Sequence, residues 1–148
     1  MDKTNLIFLV LTILVAGFLA YSQGALDWLS DTSTFSETGA DLTLEAITTG
    51  SVDAGDVAIE LKPTRIIGSN LEMDISVNTH SVDLSSFDLK QITTLEFGGK
   101  KFSPIEAPSL GGHHVSGKLV FDAGDDLNNF AVKINGIPKI SVREFNWR

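Results

Sequence analysis

The chain has 148 residues, with 19 acidic against 11 basic side chains, a net charge of −8 and no cysteine. That length holds one compact domain plus an appendage rather than two cores. The missing thiol excludes disulfides, thiolate zinc and iron–sulfur centres, blue-copper sites and cysteine nucleophiles, and the acidic balance opposes nucleic acid, whose capture rests on clustered Lys and Arg displacing counterions.

The first element is a charge-free run at residues 6–21 (LIFLVLTILVAGFLAY), preceded by Lys3 and the α-amino group. It reads as a membrane-insertion signal, of a length between a signal-peptide core and a full span. Ala20 and Ser22 suit cleavage before Gln23, giving a secreted form. Ala25, Leu26, Trp28 and Leu29 extend the apolar character and favour an uncleaved anchor, with Trp28 at the headgroups. A buried core helix is the weaker alternative, because no polar stripe runs along the segment. The positive-inside rule keeps Lys3 in the cytoplasm and sends the remainder across, so residues 1–29 are expected to anchor a single-pass, extracytoplasmic protein in the cell membrane.

Residues 30–39 (SDTSTFSETG) have no periodicity and form a polar linker. From residue 40 to 148 the dominant period is two. Leu42 and Leu44 alternate with Thr43 and Glu45; Val57, Ile59 and Leu61 with Ala58, Glu60 and Lys62; Leu71, Met73, Ile75 and Val77 with Glu72, Asp74, Ser76 and Asn78. Another run covers residues 91–97, and Gly98-Gly99 marks a two-residue hairpin before Phe102. Val115, Leu119 and Phe121 alternate with Ser116, Lys118 and Asp122. Asn135-Gly136 signals a second hairpin, between Phe130, Val132 and Ile134 on one side and Ile137, Ile140 and Val142 on the other. Seven or eight short strands, with no helix after the leader, predict an all-β fold: an immunoglobulin-like antiparallel sandwich, with a small closed barrel as the alternative.

All three histidines lie in two short segments at strand ends, His80 in 78–84 (NTHSVDL) and His113 with His114 in 111–117 (GGHHVSG). If loops at one end of a sandwich bring them together, the imidazoles with Asp83 or Asp88 supply nitrogen and oxygen ligands suited to copper, zinc or nickel. His113 and His114 share an ion only if Gly111-Gly112 breaks the pleat, since neighbours in a regular strand face opposite ways. In the competing reading His80 and one of the His113–His114 pair are buried or half-buried and tie loop backbone together. The loop Asp122-Ala123-Gly124-Asp125-Asp126 has carboxylates for calcium but lacks an ordered calcium-loop pattern and reads as a solvated turn.

The T-H-S-V-D-L element at 79–84 and the G-G-H-H-x-S-G-x-L-x-F element at 111–121, with Pro138 and a closing Phe145-Asn146-Trp147, resemble those of an uncharacterised group of prokaryotic exported β-domains. The resemblance spans about residues 61–147 and implies an exported domain without implying a substrate.

No serine elbow, phosphate-cradling loop or dinucleotide fingerprint is present, and a small domain poor in aromatics offers little for sugar chemistry. The sequence therefore predicts a non-enzymatic interaction or structural module, an accessory subunit of a membrane complex or a surface or filament subunit. It contacts membrane through its N-terminal helix and a protein partner, or further copies of itself, through its β-domain. The alternative is an extracytoplasmic copper- or zinc-binding module using His80, His113, His114 and Asp83.

Overall fold

A computed structural model describes residues 39–124 and 127–148. The expected anchor at 1–29 and all of the linker except Gly39 lie outside the described residues. Among those described, no helix is long and apolar enough to cross a membrane.

The described chain is an all-β sandwich of two antiparallel sheets. Its strands are β1 (Ala40–Asp41), β2 (Ile47–Thr49), β3 (Ala58–Ile67), β4 (Asn70–Asn78), β5 (Thr93–Phe97), β6 (Lys100–Phe102), β7 (His114–Asp122), β8 (Phe130–Asn135) and β9 (Val142–Trp147). One sheet runs β1-β3-β4-β7, with β2 also on β3; the other runs β6-β5-β8-β9. The hairpins β3–β4, β5–β6 and β8–β9 stay within a sheet, while β4→β5, β6→β7 and β7→β8 cross between sheets.

Period-two patterning places the core as read. Ile59, Leu61, Leu71, Met73, Ile75, Val77, Leu119 and Phe121 are buried on the inner face of the first sheet. Leu95, Val132, Ile134, Phe145 and Trp147 oppose them from the second. Trp147 stacks on Phe130 with ring centres 5.2 Å apart. Its indole N–H donates to the Glu45 carbonyl at 2.8 Å, so burial leaves no orphaned donor there.

Four local expectations shift. The strand expected around 42–47 splits into β1 and β2, which pair with separate stretches of β3 on either side of Pro63. Proline has no N–H to give, and the β3–β4 register breaks between Pro63 and Arg65, so a continuous ladder is interrupted there. Leu42 and Leu44 still pack half-buried against the core. The run beginning at Gln91 opens instead with one helical turn, α1 (Leu89–Ile92), because Asp88 caps it by accepting from the Lys90 N–H at 2.9 Å.

Gly98-Gly99 is the expected two-residue turn, with φ of 56° and 74° between paired Phe97 and Lys100. At Asn135-Gly136 the hairpin is present, but its connection runs over residues 136–141, closed by Gly136 N–H donating to the Ser141 carbonyl at 2.9 Å. The phase in β9 is also displaced by one: Val142 faces solvent and Arg143 faces the core. The strand count is nine among the described residues, rather than seven or eight, because two are short pieces on one edge.

Candidate functional site

The loops at 50–57, 79–88, 111–113 and 136–141 gather at one end of the sandwich, since Ala58, Asn78 and His114 lie in one row across the first sheet. The first described strand lies at the other end, where Ala40 pairs with Ile66. Eight strand steps separate Ile66 from Ala58, roughly 26 Å at about 3.3 Å per residue.

A buried ion pair braces the loop end. The Arg143 side chain is fully buried; its Nη2 donates to Asp56 Oδ1 at 3.1 Å, to the Val57 carbonyl at 3.1 Å and to the Pro138 carbonyl at 3.0 Å. Its Nη1 reaches the carbonyls of Ile137 at 3.0 Å and Ile140 at 2.9 Å. The fork thus fastens the wide β8–β9 connection on one sheet to the start of β3 on the other. Only Nε lacks a protein partner. Burial pushes the guanidinium pKa down against the pull of Asp56. The Val57 N–H, followed by the Ser51 hydroxyl and N–H and by Arg143, holds the Asp56 carboxyl below the usual carboxylate range, opposing the effect of its burial.

Thr79, also fully buried, extends the brace. Its hydroxyl donates to the Asp56 carbonyl at 2.8 Å and accepts the Val82 N–H at 3.2 Å. Its N–H donates to the His113 carbonyl at 2.9 Å, which pins the two histidine segments side by side.

All three histidines are exposed rather than buried or half-buried, and of the three rings only those of His80 and His114 are in contact among the described residues. The work assigned to imidazoles in the structural reading is done by Thr79, Asp56 and Arg143. His80 and His114 meet edge to face, ring centres 6.0 Å apart. His114 Nδ1 lies 2.8 Å from Asn78 Oδ1. Gly112, at φ 79°, turns the chain just before β7, so His113 precedes the regular strand and His114 opens it. His113 lies near enough to Asp83 to help hold its carboxyl below the usual range, after the larger effect of the Ser85 hydroxyl and N–H. Asp88 is committed to capping α1. Among the described residues no three His, Asp or Glu side chains converge closely enough to hold an ion.

In the acidic loop, Asp122 is exposed, and the N–H groups of Ala123 and Gly124 both donate to the Ser69 carbonyl at 3.0 Å. Asp125 and Asp126 lie outside the described residues. Two surface carboxylates each hold two bases: Glu72 accepts from Lys118 at 2.7 Å and Arg65 at 2.9 Å, and Glu96 from Lys133 at 2.7 Å and Lys101 at 3.2 Å.

Arg143 is the residue that sequence reasoning missed. The signal was present in Arg143, Phe145 and Trp147, which share one strand face and so place a cation on the apolar side. No protein-family model, curated protein or solved structure matches this chain.

Proposed function

We propose that this protein is a non-enzymatic, membrane-anchored extracytoplasmic module that docks a protein partner, or further copies of itself, through the loop end of an immunoglobulin-like sandwich. The order of hairpins and sheet crossings supports that fold reading, as does the single antiparallel bridge from Glu106 to Val120 along the outer edge of β7. The hydrophobic stretch at 6–21 supplies the tether, and the exported-domain motifs around the histidines agree with the extracytoplasmic placement.

The observation that carries the proposal is the braced loop end itself. A buried guanidinium joins the 50–57 and 136–141 connections, one from each sheet, Thr79 ties the 79–88 and 111–113 connections to Asp56, and all four lie at the end opposite the Ala40–Ile66 pair. Loops fixed on a rigid scaffold are where binding residues concentrate. Val52, 43% exposed, is an apolar contact in one of these loops.

The test is a photo-crosslinking residue at Val52 in native membranes, with one at Lys100, on the turn at the opposite end, as the comparison. An adduct of one defined mass from Val52 alone supports docking through the loop end. Recovery of the protein as a monomer in mild detergent, with no adduct from Val52, overturns it.

A further inference from the structure

We infer that His80 and His114 form a two-imidazole site for a divalent transition-metal ion of the copper(II), zinc or nickel class. The site shares its location with the docking end but not its premise.

The first support is a relay that presets one ligand. The Asn78 amide donates through Nδ2 to Ser76 Oγ at 3.0 Å, which directs its oxygen toward His114. That oxygen only accepts, so the His114 Nδ1, 2.8 Å away, is the protonated nitrogen. Nε2 is left with its lone pair outward. A ring whose far nitrogen is tied by hydrogen bonding to an oxygen acceptor is the usual arrangement of a metal-ligating histidine.

The second support is spacing. Metal–nitrogen bonds of about 2.0–2.1 Å place two imidazoles sharing an ion with their ring centres roughly 5–6.5 Å apart, between tetrahedral and linear bond angles. His80 and His114 stand at 6.0 Å. Both side chains are exposed, and no protein group among those described hydrogen-bonds to the ring nitrogens of His80, so it turns toward a shared ion without breaking a bond. Neutral imidazoles suit zinc, copper and nickel, and the net charge of −8 favours cations near the surface. His113 and Asp83 attract one another beside the pair, and the Asp83 carboxylate is held by Ser85 at 2.7 Å and 2.9 Å, so neither belongs to the ligand set. The remaining coordination positions are open to water or to a side chain of a bound partner.

The test titrates the full chain in mild detergent with zinc chloride and, separately, copper(II) chloride by calorimetry. The expected result is one ion per chain, bound tighter than about 100 μM. His80→Ala and His114→Ala variants that keep the melting temperature should each weaken binding at least tenfold, Asn78→Ala should weaken it several-fold, and His113→Ala should leave it unchanged. Copper(II) resonance spectra should show two nitrogen couplings, falling to one in either single variant. Binding weaker than about 1 mM, or equal losses in the His113 and His114 variants, overturns the site. Loss of ion binding leaves the Val52 adduct untouched, and a monomer in membranes leaves the titration untouched, so the two proposals fail separately.

Discussion

Arg143 and Asp56, 87 positions apart in the chain, meet at 3.1 Å inside the loop end of the sandwich and fasten one sheet to the other. Arg143 carries no exposed side-chain surface, so its charge is sustained only by Asp56 and the four carbonyls it bonds. Arginine suits the position because its planar fork reaches several oxygens at once from one fixed geometry, which a lysine does not.

Removing the cation should therefore be among the most damaging single changes in the domain. Arg143→Ala removes the donor to the Val57, Ile137, Pro138 and Ile140 carbonyls and the cation beside Asp56, which keeps only its Ser51 and Val57 donors, and should cost about 3–5 kcal/mol. Arg143→Lys should recover only part of that. Urea unfolding of the full chain in mild detergent reads both, and a loss below about 1 kcal/mol for the alanine variant would show that the fork is not a clamp.

Stability should fall on acidification, with a known sign. Asp56, Glu72, Asp83 and Glu96 all have pKa values lowered in the folded chain. Each contributes stability that is fully present above the unfolded value, about 3.9–4.3, and is lost as pH falls through the lower folded value. Melting temperature should accordingly hold level from about pH 7 to pH 5 and drop below about pH 4. Asp56→Asn should flatten part of that drop.

Gly117 is a packing requirement in β7. A Cβ there would stand 2.7 Å from Pro108 Cβ and 2.9 Å from Pro108 Cγ. Gly117→Ala should destabilise by about 1–3 kcal/mol through overpacking. Pro108→Gly in the same chain should return a measurable part of the loss, which distinguishes a clash from a backbone effect.

The histidines should be nearly silent in stability. His80→Asn, His113→Asn and His114→Asn each alter an exposed side chain and should stay within about 0.5 kcal/mol of the parent. Thr79→Val removes a buried hydroxyl that serves Asp56 and Val82 and should cost about 1–3 kcal/mol. Thermal unfolding of the four variants side by side separates them; a histidine variant as damaging as the Thr79 one would restore a structural role for that ring.

Much of this arrangement is local enough to be legible along the chain. Strict alternation from Leu71 to Val77 fixes which face of β4 is buried, because a strand turns its side chains by half a rotation per residue. Gly98-Gly99 specifies its turn because both positions need positive φ. The nearness of the two histidine segments was only a condition in the sequence, and the pairing of β4 with β7 meets it by setting Asn78 opposite His114. What lay beyond reach was every feature set by a distant partner. Pro63 divides the first strand only because of what pairs with β3 around it. The connection at 136–141 opens wide where Arg143 takes three of its carbonyls. Whether His80, His113 and His114 were inside or outside depended on Thr79, Asp56 and Arg143 claiming the interior first. Periodicity assigns a residue to a face, but a buried charge is tolerated only where the folded chain delivers its counterion, and Asp56 reaches Arg143 only once two sheets have packed.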